Sequence, residues 1–142
     1  MRVLVDANVF ISYLLTPEPD RVPIKIMEAA FDARFALLVS EGTLIELERN
    51  IRKKSYLRQR ISNVQLADLI DSLNVIASVL PLTTTPSGSD IRDPKDDYLI
   101  AHALRDQVDI LVSGDRDLLA LADEMPFRIL TPIDFLAHLD EH

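Results

Sequence analysis

The chain has 142 residues, 48% hydrophobic and 27% charged, which sets the expectation of one globular domain over 1–142 with a core that needs no covalent staples. It has no cysteine, so disulfides, zinc–cysteine centres, iron–sulfur clusters and thiol catalysis are excluded. With 15 basic and 23 acidic residues the net charge is −8, which argues against a general nucleic-acid binder and makes the placement of the acids matter more than their sum.

The chain opens on Val3-Leu4-Val5, a continuous apolar run read as a buried strand and stopped by Asp6. The run is too short for a signal peptide or a membrane span, and a cytoplasmic protein is expected. Residues 22–34 carry Ile24, Met27, Ala30 and Phe31 at helical spacing. Phe35 to Val39 is a second apolar run, and Ser40 can cap a helix reaching about Lys53. Ser62 with Gln65 three positions on is a capping box for a helix to about Leu73. Residues 75–80 read as a third strand or as the end of that helix, and Pro81 to Asp90 as the one long loop. Asp93-Pro94 opens a helix to about Arg105, Ile110 to Val112 is a fourth strand and Arg128 to Leu130 a fifth. Thr131-Pro132 starts a last helix ending near Leu139. Strands alternating with helices predict an α/β fold with a parallel sheet covered on both faces.

Ligands in such folds bind beyond the carboxyl ends of the strands. Asp6 and Asp115 stand at two of those ends, although either residue alone is equally a turn former or a helix cap. Asp97 shares a helical stripe with Ile100, Ala101, Leu104 and Val108, where a carboxylate is costly unless it is paired or bound to a cation. Asp93 reads as the cap of that helix and Asp96 as its solvent-facing neighbour. On the helix after Ser40 the apolar stripe Leu44, Leu47 and Ile51 lies nearer Glu48 than Glu46. Converging carboxylates repel one another, and a divalent cation relieves them. With oxygen ligands alone, Mg2+ or Mn2+ is the chemical match, and such a site hydrolyses phosphodiesters through activated water. The glycines Gly42, Gly88 and Gly114 build no dinucleotide or phosphate loop, and there is neither a GxSxG serine nor an HExxH pair.

With these residues in place the sequence resembles the PIN-domain family, and within it the VapC-like toxin ribonucleases of toxin–antitoxin systems. Val3 to Asn8 is similar to the family's opening strand with D-x-N, and Ser40 through Glu46 to its serine followed six positions later by glutamate. Asp97 to Ala101 matches the aspartate four residues before alanine, and Ser113-Gly114-Asp115 the T/S-x-D after a strand. The resemblance implies a three-layer α/β/α fold with a five-stranded parallel sheet in the order 3-2-1-4-5. It also implies a Mg2+- or Mn2+-dependent endoribonuclease, the toxin of a type II pair. Asp6, Glu46, Asp97 and Asp115 become its acidic tetrad, the three aspartates holding the metal. Asn8 and Ser113 would support the tetrad by hydrogen bonds, with Asp117 as an extra carboxylate. An RNA substrate, a cognate antitoxin protein and a homodimer are the partners implied.

Six of the basic residues, Arg49, Arg52, Lys53, Lys54, Arg58 and Arg60, fall within twelve positions that contain no acid. They are the candidates for RNA phosphate contact, with Tyr56 available to stack on a base, against the simpler reading of a solvated helix end. Two other readings compete for the chain as a whole. One is a haloacid-dehalogenase-type phosphatase, whose second acid would fall at Asn8. The other is an inactive or partner-regulated binding module on the same fold.

Overall fold

The computed structural model describes residues 1–16, 18–81 and 94–141, the side chains of residues 94–97 excepted. Five short strands, β1 (Arg2–Val5), β2 (Ala36–Ser40), β3 (Ser78–Leu80), β4 (Ile110–Val112) and β5 (Arg128–Leu130), form one sheet. Its order is β3-β2-β1-β4-β5 and each pairing is parallel. Helices α1 (Ala7–Leu15), α2 (Val22–Phe31), α3 (Glu41–Lys53), α4 (Ser55–Arg60) and α5 (Asn63–Ile76) belong to the first half of the chain. Helices α6 (Pro94–Arg105), α7 (Arg116–Leu119) and α8 (Pro132–Asp140) belong to the second. The fold class and strand order are those expected from the sequence.

Successive strand residues face opposite sides of a sheet, so a strand covered on both sides must be apolar throughout. β1 shows this directly. Val3 and Val5 join a core with Leu37, Val39, Ile110 and Val112 beneath α1, α2, α3, α5 and α8. Leu4 points the other way, into a second core with Leu38, Leu111, Leu99 of α6 and Leu118 of α7. These two layers are why the apolar runs carry no polar alternation.

Several boundaries differ from the sequence reading, each for a local reason. The run 75–80 is divided: Val75 and Ile76 end α5, with Val75 83% exposed, and the strand begins at Ser78. α1 has no counterpart among the predicted elements, because Asn8 to Leu15 is rich in aromatic and β-branched residues and shows no charged face. α2 stops at Phe31 because Ala33 adopts φ 56°, letting the Arg34 and Ala33 amides donate to the Ala29 and Ala30 carbonyls at 2.9 and 3.0 Å. Gln107 (φ 51°) ends α6 in the same way, at Arg105 as the sequence reading has it.

The predicted stripe on α6 also needs correction. Leu104 is 48% exposed, and the buried face is instead Leu99, His102 and Ala103. The helical spacing that placed Asp97 on a buried stripe therefore does not hold. The side chain of Asp97 lies outside the described residues, as do the long loop from residue 82 onward and the predicted cap at Asp93.

Candidate active site

The parallel sheet brings the carboxyl ends of its strands to one edge, and the conspicuous polar residues collect there. Val5 pairs with Val112, so Asp6 and Ser113 are the next residues on adjacent strands, and the Asp6 amide donates to the Val112 carbonyl at 3.0 Å. Ser40 ends β2 on the other side of β1. Asp6, Ser40 and Ser113 are all 0% exposed. Burying polar groups at this depth is costly unless partners satisfy them, and here they do.

Asp6 is both the cap of α1 and the centre of the cluster. The Ala7 amide donates to its Oδ1 at 2.7 Å, and the Ser113 hydroxyl donates to its Oδ2 at 2.8 Å. Ser113 Oγ in turn accepts from the Asp115 amide at 3.0 Å, so one hydroxyl ties the acid ending β1 to the acid following β4. Asp115 Oδ1 accepts from the Asp117 amide at 2.9 Å, which makes Asp115 the cap of α7 as well. Asp117 is exposed, and its described contact is through its backbone. The Asn8 side-chain amide lies over Gly114, 3.9 Å from where a β-carbon would stand, so Asn8 borders the same edge.

α3 enters the cluster through its first turns. Ser40 Oγ accepts from the Gly42 amide at 3.1 Å and fixes the start of the helix. The face that α3 buries is Thr43, Leu47 and Ile51. That face is rotated from the apolar stripe, because Thr43, though polar, is fully buried while Leu44 is only half-buried. Glu46 and Glu48 consequently lie on either side of it. Glu46 Oε2 accepts from the Tyr98 hydroxyl of α6 at 2.9 Å, whereas Glu48 pairs with Arg52 at 2.6 Å on the outer surface. The glutamate tied to α6 is thus Glu46.

Tyr98 is the site residue that sequence reasoning missed. It is half-buried, its hydroxyl is 3.4 Å from Thr43 Oγ1, and its ring meets the buried His102 edge-on with centroids 6.3 Å apart. Burial raises the affinity of the phenol for its proton, the Thr43 hydrogen bond opposes this, and the Glu46 and Asp6 carboxylates reinforce it. The group is therefore a protonated donor at neutral pH. Burial, with Arg105 nearby, lowers the pKa of His102, so the imidazole behind the phenol is neutral.

Among the described residues, no three histidine, aspartate or glutamate side chains stand together closely enough to hold a metal ion. The chemistry of the donor set nevertheless fits one. Asp6, Glu46, Ser113 and Asp115 offer hard oxygen atoms only, which suits Mg2+ or Mn2+ and not a softer metal. Asp6 is a wholly buried carboxylate that receives a neutral amide and a neutral hydroxyl.

The basic segment runs over α3, α4 and the turn between them. Arg49, Arg52 and Lys53 line a shallow depression of about 350 Å³ with Ile45 and Glu48 on the outside of α3. Lys54 is exposed between α3 and α4, and Arg58 donates to the Arg52 carbonyl at 3.1 Å. Arg60 lies apart, in a depression of about 520 Å³ with Leu15, Ile24, Phe31 and Leu69, at the end of α1 away from Asp6.

Comparison with known proteins follows the same lines. Residues 2–117 match the PIN domain family. The uncharacterised protein MJ1680 of Methanocaldococcus jannaschii is 24% identical, the alignment covering 99% of this chain and 93% of that protein. VapBC2 from Rickettsia felis, solved bound to a DNA fragment from its promoter, is similar in fold with a TM-score of 0.57 at 15% identity, covering 92% of this chain and 97% of that one. A PilT N-terminus domain protein, SSO1118 of Sulfolobus solfataricus, gives 0.55 at 13% identity, covering 100% of this chain and 96% of that one. The family match spans the sheet edge from Asp6 through Glu46 to Asp115, which a phosphatase of the haloacid-dehalogenase type does not explain, and the chain belongs to the PIN-domain family, whose members are generally nucleases.

Proposed function

We propose that this chain is a metal-dependent endoribonuclease that hydrolyses RNA phosphodiesters, acting in the cytoplasm as the toxin of a type II toxin–antitoxin pair. The observation that carries the reading is the fully buried Asp6 carboxylate, fastened by Ser113 to the strand that leads to Asp115. Asp6, Asp97 and Asp115 are the residues proposed to hold the cation, and Glu46 the one proposed to position a second cation or the attacking water. A bound Mg2+ or Mn2+ supplies positive charge that lowers the pKa of water and offsets charge gathering on the phosphodiester. Ser113, which donates to Oδ2, and Asn8 are proposed to hold the acids in place by hydrogen bonds, and Asp117 to add a further carboxylate. The likeness to VapBC2 supports a cognate antitoxin as partner, and a homodimer is proposed on the same family ground.

The test couples binding to chemistry. A cation that binds only the folded chain stabilises it by about 2.7 kcal/mol at a hundredfold excess over Kd, or roughly 5–10 °C in melting temperature for a chain of this size. Mn2+ is expected to produce that shift and to switch on cleavage of a single-stranded RNA, with EDTA reversing both. A protein that neither shifts nor cleaves overturns the reading and leaves a binding module on a nuclease fold.

RNA contact is proposed for Arg49, Arg52, Lys53, Lys54, Arg58 and Arg60, with those on α3 nearest to Glu46 in sequence. Replacing Arg49, Lys53 and Lys54 by Gln is expected to weaken RNA binding in EDTA. The slope of log K against log salt should fall by about 2, at roughly 0.7 per phosphate contact on a single strand. Measurement by fluorescence anisotropy across a salt series checks this, and an unchanged slope removes these three residues from the interface.

A further inference from the structure

We infer that Tyr98 is a positioning residue, whose phenol orients the Glu46 carboxylate and fastens α3 to α6 across the acidic cluster. This inference rests on the nuclease reading above and deepens it. Its grounds are geometric. Tyr98 carries one hydroxyl proton, and its oxygen lies 2.9 Å from Glu46 Oε2 and 3.4 Å from Thr43 Oγ1. The shorter contact is a charge-assisted bond, so the proton goes to the carboxylate and the Thr43 hydroxyl donates into the phenol oxygen.

Thr43 is fully buried one helical turn before Glu46, and the three groups form a chain running Thr43 to Tyr98 to Glu46. A buried tyrosine needing a partner would be satisfied by Thr43 alone. Here it reaches past Thr43 to the Glu46 carboxylate one turn further along α3. Glu46 is only half-buried on a long side chain with several rotamers, and a donor fixed to a neighbouring helix restricts it. Tyr98 can do this because its ring stacks edge-on against the buried His102, one turn along the same helix.

A brace of this kind acts on ligand affinity more than on folding, since outer partners of metal-binding groups typically change affinity by about 10- to 100-fold. The experiment compares wild type, Tyr98→Phe, Glu46→Gln and the double variant by melting temperature against Mn2+ concentration and by RNA cleavage across the same titration. Tyr98→Phe is expected to raise the half-saturating Mn2+ concentration about tenfold in both measurements. Its metal-free melting temperature should stay within a few degrees of wild type, and cleavage should recover at saturating Mn2+. In the Glu46→Gln background the same change is expected to add nothing. A Tyr98→Phe protein with wild-type Mn2+ dependence, or with only a lower metal-free melting temperature, overturns the inference while the nuclease reading stands. A wild-type protein that shows neither Mn2+ shift nor cleavage overturns both. Should Tyr98→Phe fail to fold, Glu46→Asp, which withdraws the carboxylate from the phenol and keeps its charge, is expected to show the same tenfold rise, and no rise overturns the inference.

Discussion

Asp6→Asn is expected to lower RNA cleavage by on the order of 10²–10³-fold, the loss typical of removing one preorganised electrostatic group, while leaving the fold intact. The separation follows from where Asp6 sits. Its side chain is 0% exposed and its contacts are made with oxygen atoms that an amide can mimic in part. The Asn carbonyl can still accept from the Ala7 amide. The Ser113 hydroxyl, which now donates to Oδ2, can turn to accept from the Asn amide while Asp115 continues to donate to it. The change removes a charge from a fully buried position, where a charge is costly, so the metal-free protein should be no less stable and its melting temperature equal or higher. The same change abolishes the Mn2+ shift. Cleavage at the wild-type rate by Asp6→Asn would remove Asp6 from the chemistry, and a collapsed melting temperature would make its role structural.

The sheet was legible because burial on both faces leaves a mark that needs no partner to interpret. Val3-Leu4-Val5 and Ile110-Leu111-Val112 can only be apolar throughout if both sides are covered. Caps were legible because their chemistry is local. Ser62 and Gln65 exchange hydrogen bonds at 3.1 and 2.8 Å, and the Asp134 amide donates to Thr131 Oγ1 at 3.1 Å. The end of α2 before Ala33 was not legible, because Ala33 takes a left-handed conformation without the glycine that usually announces it. The choice between Glu46 and Glu48 depended on a buried threonine, which an apolar count ignores. Tyr98 was invisible for a stronger reason. Its partners are 52 and 55 positions away, and nothing beside it in the chain distinguishes it from an ordinary helix residue.

Phe135→Ala is expected to cost about 3–5 kcal/mol, a large share of the roughly 5–15 kcal/mol that keeps a domain folded. Phe135 is 0% exposed in the first turns of α8, and its ring meets Phe35 edge-on at 85° with centroids 5.1 Å apart. That pair closes the core where α8 packs against α2 and β5, so removing one ring leaves a cavity that rigid neighbours fill poorly. In urea the midpoint should fall accordingly, and the melting temperature should drop by about 10–15 °C. Cleavage per folded molecule at 25 °C should stay within about twofold of wild type. Phe35 precedes β2 at its amino end, whereas Asp6 and Ser40 close the strands at their carboxyl ends. A five-residue strand at about 3.3 Å per residue separates the two edges by roughly 15 Å. The variant therefore measures the scaffold without touching the acids, the converse of Asp6→Asn. A fall of less than about 1 kcal/mol would mean that α8 is not docked as described, and a lost Mn2+ dependence would mean that the acidic edge relies on packing at the far end of the sheet.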